Sequence, residues 1–223
     1  MFPLSDTKTS GRFPAWVVIL ILANVWVFFL ELTAPNPDLF VGQFALIPSQ
    51  VDFSNLDSLK PFITSQFLHG GFIHIISNMW FLWIFGDNVE ERLGSFFFPI
   101  FYLLAGAIGG LTQYIFIPDS NIPMLGASGA IAGVLGAYLA FFPHHRIKTL
   151  MPLFGFFSII NLPAYIVLFF WFFTQLFSGS ASIITATASL GGVAFFAHIG
   201  GFATGWIVAK LFKSTTPTQP SIA

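Results

Sequence analysis

A chain of 223 residues with 56% hydrophobic and only 8% charged side chains lies far from the roughly 25% charged content of soluble domains. With a mean hydropathy of +0.83, this implies an integral membrane protein whose surroundings are a lipid bilayer. A formal net charge of −1 without a basic stripe excludes a nucleic-acid partner, and the lack of any cysteine excludes disulfides, thiolate metal sites and a cysteine nucleophile.

The opening 1–13 is a polar segment carrying Lys8 and Arg12. The apolar run 14–32 follows it without a small-residue cleavage pattern, which predicts an uncleaved first span. A spanning helix needs about 20 mostly apolar residues. Segments 68–87, 95–117, 126–143, 161–178 and 190–212 also qualify, separated by breaks such as Gly86-Asp87-Asn88 and Pro118-Asp119-Ser120-Asn121. The loop 33–67 mixes Leu39, Phe40, Val41 and Phe44 with Asp38, Asp52 and Asp57. It reads equally as solvated structure or as a loop partly submerged in the outer leaflet.

Residues 147–178 admit either one span preceded by an interfacial piece or two short spans split at Pro163. The positive-inside rule separates these readings. With six spans and both termini cytoplasmic, Lys8, Arg12, Arg92, Arg146, Lys148, Lys210 and Lys213 fall inside, and only Lys60 falls outside. A seventh span would expel Lys210 and Lys213. The expected fold is therefore an all-α membrane bundle of six transmembrane helices over 14–213, with 147–160 at the inner interface and a disordered cytoplasmic tail at 214–223.

Polar groups within hydrocarbon are costly and mark function by default when ionisable. In "FLHGGFIHIISNMWFLWIFGDNVEERLG", His74 and Asn78 share a helix face. Ser128 opens the fourth span and His198 lies in the sixth. At about 1.5 Å of rise per residue, His74 and Ser128 each lie about 24 Å from their cytoplasmic helix ends, and His198 and Asn78 about 18–22 Å, which is one layer in the outer half of the membrane. Gly129, Gly133 and Ala137 repeat at intervals of four, as do Ala197, Gly201 and Gly205. Small residues at that spacing let helix backbones approach closely in lipid, which makes Ser128 and His198 candidates for direct contact.

An imidazole within hydrogen-bond reach turns a serine hydroxyl into a nucleophile. No Asp or Glu lies in the central layer of any predicted span, so a dyad remains. Asn78, His74 and the Ser128 amide at a helix start could supply donors to an oxyanion. The zinc-protease pattern His-Glu-x-x-His is missing from "HIISN". The Gly-x-Ser-x-Gly elbow of α/β-hydrolases fails at Ala130.

At these residues the sequence strongly resembles the rhomboid family of intramembrane serine proteases. The resemblance rests on Gly126-Ala127-Ser128-Gly129, on Ala197-His198 followed by Gly200, Gly201 and Gly205, and on His74 with Asn78, preceded by His69. The run Gly86, Asp87, Asn88, Val89, Glu90, Arg92, Gly94 and the opening "FPLSDT" extend it to approximately Phe2–Lys213. The resemblance implies a rhomboid-like bundle in which Ser128 is the nucleophile and His198 the general base. His74, Asn78 and the Ser128 backbone would form the oxyanion hole, with His69, Gly126, Gly129, Gly201 and Gly205 in support. It also implies a water-filled cavity open to the outside, transmembrane protein substrates and no cofactor. In some members an aromatic one turn past the serine stacks on the histidine; here that position is Ala132, so what orients His198 is not evident. The Trp-Arg pair that some members carry in the first external loop is missing as well.

Substrate helices are expected to enter between the second and fifth spans, with the Phe-rich stretch 166–177 facing lipid beside that entrance. The alternatives are a rhomboid-like protein that binds membrane helices without cutting them, or a small transporter using the same polar layer. A transporter would call for an acidic residue in the central layer of the spans or an internal repeat, and neither is read. Without a long Arg-rich transit segment, the expected location is a prokaryotic inner membrane.

Overall fold

The computed structural model describes residues 1–153, 156–184 and 194–215. In chain order the elements are β1 (Phe2–Asp6), α1 (Ala15–Thr33), the short α2 (Pro37–Phe44), α3 (Leu56–Leu59) and α4 (Pro61–Thr64), then α5 (Phe72–Leu93), α6 (Phe97–Phe116), α7 (Ser128–Phe141), β2 (Arg146–Leu153), β3 (Phe156–Pro163), α8 (Ala164–Ile184) and α9 (Phe195–Thr215). Each predicted segment overlaps one of the longer helices, but α5 runs on through the expected break Gly86-Asp87-Asn88 to Leu93, and α8 spans Ala164–Ile184 where 161–178 was expected. The tail beyond 215 and the first residues of the predicted sixth span, 190–193, lie outside the described residues.

Among the described residues three helices, α1, α6 and α9, are long and apolar enough to cross a bilayer. A fourth crossing arises if Leu56–Phe67 and α5, bent by 81°, count as one broken span. The other two apolar helices are shorter, namely α7 and the Ala164–Phe177 part of α8. With 14 residues, α7 reaches about 21 Å, less than the roughly 30 Å hydrocarbon core. Every residue from Gly129 to Phe141 is buried, so its neighbours shield the central helix from lipid on all sides. It begins two residues later than the predicted 126–143 because Gly126 has φ +120°, and it ends where Phe142 leaves helical geometry.

The bundle is organised around α7, which packs most extensively on α9; α6 covers both. A Cβ at Gly201 would collide with the Gly129 carbonyl, one at Gly205 with the Gly133 carbonyl, and one at Gly136 with the Phe202 carbonyl. The two small-residue stripes therefore meet, backbone on backbone, as their spacing implies.

A three-stranded sheet, unforeseen in the sequence, closes one end of the helical body in the order β1-β2-β3. The predicted interfacial piece is an antiparallel hairpin, with Arg146 paired to Pro163 and Leu153 to Phe156. The N-terminal strand joins it, with Phe2 opposite Leu150 and Asp6 opposite Ile147. Period-two alternation carries the hairpin: Ile147 and Thr149 are buried while Arg146 and Lys148 are exposed.

The same end is tied by buried polar groups. Glu90 accepts from the Trp16 amide at 3.1 Å and the Val17 amide at 3.0 Å, capping the otherwise unpartnered N-terminus of α1. Asp6 accepts from the Tyr138 hydroxyl and from Asn88 Nδ2. The run after the second predicted span thus anchors the N-terminal segment to the bundle.

Candidate active site

Ser128 is the first residue of α7, and the chain leading to it is held at several points. Leu46 and Met124 exchange two backbone hydrogen bonds, of 2.9 and 2.8 Å, and the Gly126 amide donates to the Ser65 carbonyl at 2.9 Å. Gly126 then turns at φ +120°. A Cβ there would stand 2.7 Å from His74 Nε2 and 3.7 Å from Asn78 Nδ2. Strained conformation and steric contact both call for glycine, and both α5 side chains converge on the backbone beside Ser128.

His198 lies in the first turn of α9 and is 8% exposed. Its Nε2 is 2.7 Å from Ser128 Oγ, so the two stripe-edge residues are in direct hydrogen-bonding contact. The start of α9 is set by Gln113 of α6, whose side-chain oxygen accepts from the amides of Phe196 at 3.1 Å and Ala197 at 3.3 Å. Close contact of Gly129, Gly201 and Gly205 with the facing helix brings the two backbones near enough for the side chains to meet.

Asn78 is 7% exposed, and its Nδ2 has no hydrogen-bond partner among the described residues. A buried amide donor without an acceptor is uncommon in a finished core. His74 accepts at Nδ1 from the Gly70 amide at 3.4 Å. His69 stands behind it, fully buried, with the two rings edge to face at 5.1 Å. The His69 amide donates to Glu31 Oε2 at 3.1 Å. Glu31 is a buried acid near the end of α1 that the sequence reading passed over because it lies outside the central layer.

A cavity of about 790 Å³ opens among α5, α7, α8 and α9, lined among others by His74, Asn78, Ser128, Trp171 and His198. Two α8 residues that the sequence reading did not single out touch the histidine. The Trp171 ring is tilted 36° to that of His198 at 5.8 Å, and Gln175 Oε1 lies 2.7 Å from His198 Nδ1. The signal was a lone Gln in an otherwise Phe-rich span, a polar group where hydrocarbon penalises one. On α8, Phe169, Phe170, Phe173 and Phe177 are exposed while Val167 and Leu168 are buried.

A hydroxyl bonded to an imidazole, beside buried amide and ring donors, can form a nucleophilic oxygen and stabilise an oxyanion. Among the described residues no three His, Asp or Glu side chains converge as metal ligands.

The sequence model of the rhomboid domain matches residues 57–215. The chain is 27% identical over 228 aligned positions to RHOMBOID-like protein 4 of Arabidopsis thaliana, covering 88% of this chain and 52% of that protein. It is 30% identical over 210 to the Arabidopsis RHOMBOID-like protein 12, mitochondrial, covering 86% and 56%. The human presenilin-associated rhomboid-like protein, mitochondrial, is 31% identical over 140 positions, covering 61% of this chain and 36% of its own length. The chain spans about half or less of the length of the curated relatives it matches. Since the rhomboid match takes in well over half of the chain, and the helical membrane body fits it, the protein is a multi-pass membrane protein belonging to the rhomboid family.

Proposed function

We propose that the protein is an intramembrane serine endopeptidase that cleaves transmembrane segments of other membrane proteins. The observation that carries this reading is the 2.7 Å contact between Ser128 Oγ and His198 Nε2 at the wall of a cavity within an otherwise apolar bundle. In this mechanism Ser128 Oγ attacks the scissile carbonyl carbon while its proton passes to His198 Nε2. The new oxyanion is met by Asn78 Nδ2, the His74 ring and the Ser128 amide. His198 then protonates the departing amine, and a water molecule, deprotonated by the same imidazole, releases the acyl group. The unpartnered Asn78 amide suits a donor whose acceptor forms only during the reaction.

The substrate enters between α5 and α8, which flank the cavity, past the exposed phenylalanines of α8. A helix shields its own amide bonds, so it must unwind locally, and the exposed backbone groups then need water or protein partners. Small or helix-breaking residues near the outer face are therefore preferred. The proposed topology has six spans with both termini cytoplasmic. The proposed location is a prokaryotic cytoplasmic membrane, which the organellar names of the relatives do not support.

The test compares wild type with Ser128→Ala and His198→Ala, in detergent, against single-span helices carrying small residues near one end. Wild type is expected to cut and both variants to be folded yet silent, with Asn78→Ala lowering kcat by about 10²- to 10³-fold. Binding without cleavage by wild type would establish the non-cutting, helix-binding alternative instead.

A further inference from the structure

We propose that Gln175 is a positioning residue for His198: its amide oxygen holds the imidazole proton on Nδ1 and leaves Nε2 free to take the Ser128 proton. The inference rests on the serine-protease reading above and adds to its dyad a neutral third member, Gln175, that orients His198 without taking up a proton.

The hydrogen-bond directions determine the assignment. Thr174 Oγ1 donates to the Trp171 carbonyl at 2.6 Å, so its lone pairs are free to accept from Gln175 Nε2 at 3.3 Å. That contact turns the other end of the amide, Oε1, toward His198 Nδ1 at 2.7 Å. A carbonyl oxygen can only accept, so Nδ1 carries the hydrogen. A neutral imidazole has one N–H, and Nε2 is therefore the bare nitrogen, 2.7 Å from Ser128 Oγ. This is the tautomer that a general base needs, and holding it is what the third residue of a serine or cysteine protease triad does.

Trp171 completes the support. It precedes Gln175 by one helical turn and so lies on the same face of α8, against the His198 ring. Trp171 limits tilting of the ring and Gln175 limits its rotation. Ala132 carries no ring to stack, so the orienting contacts come from α8. The neutrality of the third member also has a physical reason: an ionised carboxylate in this apolar layer would carry a desolvation cost that an amide does not.

The test uses the full chain in detergent with Gln175→Leu, which removes the acceptor at similar bulk, and Gln175→Glu, which keeps an acceptor oxygen at the same reach. The readouts are kcat and KM on a cleaved single-span helix, the rate of covalent labelling of Ser128 by a fluorophosphonate, and Tm. Gln175→Leu is expected to lower kcat and labelling by about 10- to 100-fold with KM within about twofold, and Gln175→Glu to recover most of that loss. Full activity in Gln175→Leu, beside an active wild type, overturns the assignment and leaves the protease reading standing. Equal losses in both variants, tracking a lowered Tm, reduce Gln175 to packing and also overturn it. A wild type that neither cleaves nor labels removes the protease reading and this assignment together.

Discussion

Gly126 occupies a backbone conformation that L side chains rarely adopt, φ +120°, and a Cβ there would press on His74 Nε2. Gly126→Ala therefore carries backbone strain of about 1–3 kcal/mol and displaces either His74 or the start of α7. Displacements of about 1 Å within a reacting constellation cost about 10²-fold in rate. The expected outcome is a kcat lowered by about 10- to 100-fold in a protein that still folds, read by helix-cleavage kinetics beside a thermal melt. Wild-type kcat in this variant would mean that neither His74 nor the Ser128 turn needs its observed position. The sequence made Ser128, His198, His74 and Asn78 legible because each is a polar residue in an apolar span. Gln175 was passed over inside a Phe-rich stretch, although the same rule applies to it, and Glu31 because it stands at a helix end.

At the scale of elements, the period-four small residues of α7 and α9 predicted their contact, because a close backbone approach requires small side chains at the crossing. Gly201→Ala tests that contact directly. Its Cβ would meet the Gly129 carbonyl oxygen, which is backbone and cannot rotate away, so α9 must shift, at the roughly 1–3 kcal/mol typical of overpacking. His198 lies one turn before Gly201 on the same helix and moves with it. The expected result is a lower Tm together with a loss of cleavage, measured against Gly42→Ala, where an added Cβ meets nothing within 4 Å. Equal behaviour of the two variants would sink the close-contact account. Helix packing was legible because it is written as local periodicity. The sheet was not, because β1 finds β2 across more than a hundred residues, and pairing at that separation leaves no mark in a sequence window. Only the alternation at Arg146–Thr149 hinted at a strand.

For the whole molecule, the two ends of the bundle differ in charge and in structure. Arg12 precedes α1, Arg92 closes α5, Arg146 and Lys148 lie on β2, and Lys210 is near the end of α9, all toward the sheet end. The Lys8 carbonyl is bound there by Asn88 Nδ2 at 3.0 Å. Lys60 instead lies in the loop before α5, pairing with Asp57 at 2.6 Å. Basic residues near span ends are retained on the cytoplasmic side, so the sheet end should face the cytoplasm and the Ser128 end the outside. The native chain contains no cysteine, so single introduced thiols report their own side without background. Thr9→Cys and Gln50→Cys replace exposed residues at opposite ends. In intact bacterial cells a membrane-impermeant maleimide is expected to label Gln50→Cys at once and Thr9→Cys only after permeabilisation. The reverse pattern would invert the topology and open the cavity toward the cytoplasm, so that substrates would have to be cut near their inner ends instead.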